Sequence, residues 1–346
     1  MVELGVQSVS LVAEMQELAG DCKGASAPWA IAFTAKPWAL ATHTHNILVI
    51  FMNSENINHP FLHLKVRSLL LRLLLISIVL GIGLGVIQTT SGLKFNPQVL
   101  NLILYIFVFG LLCLWTLADF KRLGVHLSYV VGSLPNNHRW LPMVGLVILL
   151  ILFSMGSYLV LFYLLSLVAP SFIEAILRDV ANNPTPQRNA SLLFNLLGAI
   201  VLVVVAPITE EFLFRGIILQ RWATKWGIRA GLLGSSLLFG IGHANAVGLS
   251  MVGMILGVLY IKTRSLIVPI ACHALNNSFV VAMELFSNGS KTLSAVNRLE
   301  QLRYSLWLGI LFIVLSLPVL VRFLSQNWPR KNAPVPYFIN SFQKES

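Results

Sequence analysis

The chain has 346 residues, of which 56% are hydrophobic and only 11% are charged, and its formal net charge is +11. Apolar runs of about 20 residues recur, which predicts membrane-spanning helices and excludes an ordinary soluble domain. The basic residues lie in short loops between these runs, where they are typical of orientation signals and lipid contacts. We therefore expect membrane lipids, and no nucleic acid, as partners.

Residues 1–60 differ from the rest of the chain, because they mix Gly, Ala, Thr and His with two short apolar patches that have no clear period. They also lack a basic segment followed by an apolar core, so they do not resemble a signal peptide. We expect a poorly ordered or peripheral leader, and Met52 is a plausible true start.

About eight apolar runs follow, and they predict an all-α, polytopic membrane helix bundle. The runs cover about residues 68–87, 99–118, 141–168, 191–222, 230–246, 248–261, 266–286 and 306–321. We divide the chain into N-terminal transmembrane helices (61–189), a catalytic core of about four helices (190–287), a loop with the last span (288–325) and a polar tail (326–346).

An even number of spans places both termini on one side of the membrane. The loops on that side are the richer in Lys and Arg, for example after the second run (Lys121, Arg122) and after the fourth (Lys225, Arg229). The positive-inside rule therefore predicts cytoplasmic termini.

Two adjacent carboxylates, Glu210 and Glu211, stand with Arg215 inside the otherwise apolar fourth run. Such groups are costly to bury in hydrocarbon, so they indicate a functional site by default. On a helix, Glu211 and Arg215 lie on one face in the favourable order for an ion pair, whereas Glu210 points about 100° away. We expect Glu211 to be neutralised and Glu210 to be free. Pro207 cannot donate to the carbonyl of Val203, which loosens the helix before the acids.

Three further polar residues interrupt apolar helices. His243 follows Phe239 by one turn in the fifth run, and His273 and Asn277 share one face of the seventh. Counted from the turns on one side, Glu210 and His243 lie at matching depths of roughly 25 Å, and the other two at roughly 14–20 Å. Tilt of about 20° absorbs this difference. We expect the four groups to meet in a cavity that opens to the cytoplasm.

A free carboxylate beside a histidine can hold and deprotonate water, while a second histidine and an amide can donate to the oxyanion. This arrangement predicts hydrolysis of a peptide bond in a protein or peptide substrate, including membrane-anchored ones. Zinc held by Glu210, His243 and His273 is an alternative, although no H-E-x-x-H motif is present. A scaffold whose polar cluster only fastens helices also fits. A transporter is a weaker alternative, since no inverted repeat supports it.

Three motifs together resemble a known family. The segments EEFLFR (210–215), FGIGH (239–243) and HALNN (273–277) are similar in order and spacing to E-E-x-x-x-R, F-x-x-x-H and H-x-x-x-N. These are motifs of the CAAX protease and bacteriocin-processing (CPBP) intramembrane protease family, which includes the eukaryotic Rce1-type CAAX prenyl endopeptidase. The resemblance covers about residues 191–286, under a third of the chain.

The resemblance implies a glutamate-dependent endopeptidase that needs no metal cofactor. Carried onto this sequence, it makes Glu210 the general base for water, with His243 helping to position that water. His273 and Asn277 would form the oxyanion site. The supporting residues would be Glu211, Arg215 and Phe239. Some relatives resemble maturation or bacteriocin-immunity factors, so a non-proteolytic role is the alternative.

Overall fold

The computed structural model describes residues 59–92, 97–136, 138–175, 192–286 and 305–345. These residues form helices joined by short loops and contain no β-strand, which confirms the predicted all-α fold class. The expectations for residues 1–58, a leader with a start at Met52, lie outside the described residues.

Thirteen helices have described bounds. They are α1 (Pro60–His63), α2 (Val66–Ser91), α3 (Pro97–Leu123), α4 (Leu127–Val131), α5 (Trp140–Val168), α6 (Leu192–Ile200), α7 (Ala206–Glu211), α8 (Gln220–Trp226), α9 (Ile228–Ile241), α10 (Ala246–Thr263), α11 (Ile267–Phe286), α12 (Leu306–Asn327) and α13 (Pro336–Glu345). Two π-helical segments, Val201–Val205 and Phe212–Leu219, join α6 to α7 and α7 to α8. Residues 192–226 are thus one continuous helix, called the motif helix below.

Six of these helices are long and apolar enough to cross a membrane: α2, α3, α5, the motif helix, α10 and α12. The chain is therefore a multi-pass integral membrane protein. Helix α9 and the Ile267–Met283 part of α11 are apolar but shorter. The number of eight spans stays a prediction, because it depends on these two helices.

The motif helix, α9, α10 and α11 pack around one another, and the motif helix and α11 carry five of the polar residues singled out above. The sixth, His243, was predicted inside a span that ran to residue 246, but α9 ends at Ile241 and His243 lies in the turn before α10. Helix α5 lies against α10, α11 and α12. Its contact with α12 is close, since a Cβ added to Gly156 would lie 2.7 Å from the carbonyl oxygen of Gly309. Helices α2 and α3 pair with each other at the edge and leave most of their surface exposed.

The C-terminal residues form a helix, α13, that packs against α4. Its Tyr337 is buried in aromatic contact with Phe61 on α1. The side-chain amide of Asn340 donates to the carbonyls of Tyr129 and Arg264, both at 2.8 Å. The tail is therefore tied to the loop between α10 and α11, a feature that the sequence analysis did not predict.

Candidate active site

The motif helix is widened on both sides of its two acids by the π segments, a rare form that is frequent at functional sites. In the first segment the N–H of Ala206 donates to the carbonyl of Val201, five residues back. The same spacing would pair the carbonyl of Leu202 with Pro207, which has no N–H. The side-chain amide of Asn277 donates to the Leu202 carbonyl instead, at 2.8 Å. Pro207 frees a backbone acceptor, and Asn277 from α11 satisfies it.

Glu210 stands at the centre of the predicted site. Its side chain is 12% exposed, and its Oε1 accepts a hydrogen bond of 2.9 Å from the hydroxyl of Tyr105 on α3. Its Oε2 faces Nε2 of His243 at 4.0 Å and Nε2 of His273 at 3.9 Å. In the described part of the chain, none of its contacts is an ion pair with Lys or Arg. The structure thus brings the predicted acid and both predicted histidines together.

Glu211 is fully buried and belongs to a network that joins three helices. Arg215 Nη1 donates to Glu211 Oε1 at 2.5 Å, the pair expected from the four-residue spacing. Nδ1 of His273 lies 2.9 Å from the same oxygen. Arg215 Nη2 also donates to the carbonyl of Gly253 on α10 at 3.0 Å. The network neutralises Glu211 and ties the motif helix to α10 and α11.

Phe239 is buried between the histidines that face Glu210 and the Glu211–Arg215 network. Its ring centroid lies 4.7 Å from that of His243 and 5.8 Å from that of His273. The guanidinium carbon of Arg215 lies 4.7 Å from the ring centroid, within the range of a cation–π contact. Phe239 therefore fixes the orientation of both histidines and the arginine.

The hydrogen bonds assign the tautomers of the two histidines. Nδ1 of His243 lies 2.7 Å from the carbonyl of Phe239, which can only accept, so this nitrogen carries the hydrogen. Nδ1 of His273 donates to the Glu211 carboxylate by the same reasoning. In their neutral forms, both histidines present an Nε2 lone pair toward Glu210. Three acceptors facing one another suit a molecule that donates between them, and water is such a donor.

The central residues match a zinc ligand set by type but not by spacing. Zinc bonds of about 2.0–2.2 Å would bring neighbouring donor atoms of a tetrahedral site to about 3.4 Å. The separations from Oε2 of Glu210 are 3.9 and 4.0 Å, and no three His, Cys, Asp or Glu side chains in the described ranges form a group that could hold a metal ion. The bond from His273 to Glu211 does resemble the carboxylate contact of metal-bound histidines. Zinc stays an alternative proposal.

Tyr105 is the contact of Glu210 that the sequence analysis missed. Comparing the depths of the two residues along their helices would have identified this contact. Tyr105 lies roughly 27 Å from the end of α3 at Leu123, and Glu210 lies roughly 24 Å from the end of the motif helix at Trp226. Both ends belong to the side of the membrane that was predicted to be cytoplasmic. A lone tyrosine in an apolar run gives no signal until its depth is compared with that of the acid.

Comparison with known proteins agrees with the three motifs. Residues 192–279 match a family model described as type II CAAX prenyl endopeptidase Rce1-like. The matched segment includes every site residue predicted from the sequence and excludes Tyr105. This match confirms the resemblance stated above.

Two relatives are similar over part of their length. A Bacillus subtilis protein named "Putative membrane peptidase YdiL" is 34% identical over 107 residues, which are 29% of this chain and 44% of that protein. An Escherichia coli protein described as an uncharacterized 24.3 kDa protein is 33% identical over 86 residues, 22% of this chain and 40% of its own. The chain thus spans less than half the length of these curated relatives. No solved structure matches it.

Proposed function

We propose that the protein is an intramembrane endopeptidase in which Glu210 activates water, since residues 192–279 match the model of the Rce1-like type II CAAX prenyl endopeptidases. The observation that supports this proposal is the position of Glu210 Oε2, 3.9 and 4.0 Å from the Nε2 atoms of His273 and His243. The substrate is a protein or peptide, and membrane-anchored substrates are included.

Water activation follows from the acceptors around Glu210. A water held between Glu210 Oε2 and His243 Nε2 donates one hydrogen bond to each and keeps a lone pair for attack on the peptide carbonyl. As the oxygen–carbon bond forms, the proton moves to Glu210, and the resulting acid then protonates the leaving amine. Tyr105 leaves Oε2 free for this exchange, because it binds the other oxygen, Oε1.

The oxyanion that forms needs donors, and two predicted residues supply them. His273 already uses its Nδ1 hydrogen on Glu211, so its Nε2 donates only while it shares the proton that Glu210 Oε2, 3.9 Å away, has taken from water; the proton returns to Glu210 for the leaving amine. Asn277 uses one amide hydrogen on the carbonyl of Leu202 and keeps the second for the substrate. Two such donors lower the barrier by stabilising charge that is absent from the ground state.

Exposure differs between the two histidines of the proposed site. The side chain of His243 is 35% exposed, whereas that of His273 is 4% exposed. Of the two histidines, His243 is therefore the more accessible. We propose that the termini are cytoplasmic, because the loops on that side are the richer in Lys and Arg, and that substrate enters from the same side.

The proposal is tested by comparing membrane proteins from cells that produce the wild type or Glu210→Gln. The substitution keeps the size of the side chain and its bond from Tyr105 but removes the base. We expect a peptide terminus that the wild type generates to be lost in Glu210→Gln, with the uncut substrate accumulating. Glu174→Gln makes the same chemical change outside the site and should leave cleavage intact. Identical termini in all three strains would contradict the proposal, provided that the proteins are equally abundant.

The same strains separate the alternatives. A scaffold or immunity factor would keep its cellular role in Glu210→Gln, because the Glu211–Arg215 network does not depend on Glu210. Zinc-dependent hydrolysis would stop when purified wild-type protein is treated with a chelator, whereas hydrolysis by glutamate-activated water would continue.

A further inference from the structure

A cavity of about 370 Å³ lies where α2 begins and α3 ends, outside the proposed catalytic centre. Its volume is within the range of small-ligand sites, roughly 300–1,000 Å³. Three cationic side chains, Lys65, Arg72 and Arg122, line it together with one acid, Asp119. The lining therefore has an excess of positive charge.

Asp119 is shared between the two arginines and cannot neutralise both. Arg72 bonds to Oδ2 of Asp119, and Nη2 of Arg122 lies 2.9 Å from Oδ1. Most of the Arg122 side chain remains exposed, and Lys65 is exposed as well. Helix α2 begins beside the cavity with no acid in its first turn and no side-chain cap, so its free N–H groups add positive potential there.

The cavity lies at the level where a lipid headgroup would sit. Beyond it, α2 and α3 expose apolar side chains, such as Leu71 at 65% and Leu114 at 63%. In a membrane these faces contact acyl chains. The cavity stands at the end of both faces, on the side whose loops are rich in Lys and Arg, and basic pockets between helices on that side suit anionic headgroups.

We propose that this cavity binds the phosphodiester of an anionic phospholipid. Lys65 and Arg122 contact the phosphate oxygens, because both are exposed and neither is fully neutralised. Arg72 and Asp119 form the floor, where the ring of Trp115 lies 4.6 Å from the guanidinium carbon of Arg72. The forked guanidinium of Arg122 matches the geometry of a phosphate.

The bound lipid would also brace the motif helix. Ile217 from the second π segment forms part of the cavity wall. It lies seven residues after Glu210, roughly 10 Å along the helix. Occupancy of the cavity therefore favours the packed position of this segment, and this holds whether or not the protein is a peptidase.

The test uses the full chain in phosphatidylcholine nanodiscs, with phosphatidylglycerol as the probe and lipid retention measured by native mass spectrometry. The double variant Lys65→Gln/Arg122→Gln removes two cavity cations. The control Arg67→Gln/Lys121→Gln removes two exposed cations from the same helix ends but outside this cavity. We expect phosphatidylglycerol binding to weaken on the order of 30-fold in the cavity variant and less than about threefold in the control.

Three results would overturn the proposal. Equal weakening in both double variants would mean general attraction to a basic surface, and unchanged binding in the cavity variant would mean that these cations do not bind lipid. Displacement of phosphatidylglycerol by inorganic phosphate would mean that the cavity binds a free anion rather than a lipid. If the double variant fails to fold, the single variants Lys65→Gln and Arg67→Gln allow the same comparison. We then expect phosphatidylglycerol binding to weaken about fivefold in Lys65→Gln, the cavity position.

Discussion

Replacing Arg215 with methionine tests whether Glu211 and Arg215 form one buried unit. Methionine keeps an apolar stem but loses the bonds to Glu211 at 2.5 Å and to the carbonyl of Gly253 at 3.0 Å. Glu211 is 0% exposed and, among the described residues, would retain only His273 as a partner. Breaking a buried pair at one end typically costs about 3–5 kcal/mol, so we expect the free energy of unfolding to fall by about 4 kcal/mol.

The double variant Glu211→Gln/Arg215→Met shows where that cost arises. It removes both charges, and the glutamine oxygen still accepts from His273. We expect the double variant to be more stable than Arg215→Met alone by about 1–3 kcal/mol, because no buried carboxylate is left unpaired. Unfolding followed by circular dichroism in mixed micelles measures both. A double variant that is as unstable as the single variant, or less stable, would refute the reasoning.

Two other predictions concern single residues. Tyr105→Phe removes the hydrogen bond that holds Oε1 of Glu210, so the carboxylate is less precisely oriented toward water and peptide cleavage should slow by about tenfold. Burial, and secondarily the charge of Arg221, lowers the pKa of His59 to about 4 from an ordinary 6.5. The unfolded chain therefore binds this proton first as pH falls, and stability that is full above pH 6.5 should drop by about 2 kcal/mol at pH 5.

Each of these predictions has a matched control. Tyr158→Phe removes a hydroxyl from α5, outside the site, and should leave cleavage unchanged; an equal loss in both tyrosine variants would contradict a role for Tyr105. For His59, the stability difference between pH 7.5 and pH 5 should shrink by about 2 kcal/mol in His59→Gln. An unchanged difference would mean that His59 does not resist protonation.

Helical spacing and depth were enough to predict the centre of the site. The spacing of four residues predicted the Glu211–Arg215 pair, and matching depths predicted that His243 meets Glu210, with His273 near enough for tilt to close the gap. Both arguments work because a membrane helix has a fixed rise per residue and a known direction, and because helix tilt absorbs the shallower depth predicted for His273. Polar residues that lie at one depth in a small helix bundle are therefore expected to contact one another.

The remaining features depend on packing that the sequence pattern does not encode. Pro207 predicted a loosened helix, but not the two π segments, and the bond from Asn277 to the carbonyl of Leu202 requires α11 to pack beside the motif helix. The tail helix α13 was missed because its sequence is polar and it docks through a few groups, chiefly Tyr337 and Asn340.

The most direct test of the account is the cleavage rate of purified Glu210→Gln on a substrate identified from the membrane comparison. Loss of a general base typically slows a reaction by about 10²–10⁴-fold. We predict a fall of that size in kcat/KM, with the melting temperature unchanged, because Glu210 is not part of the buried Glu211–Arg215 pair. Cleavage by Glu210→Gln within a few-fold of the wild-type rate would contradict the central role of this carboxylate.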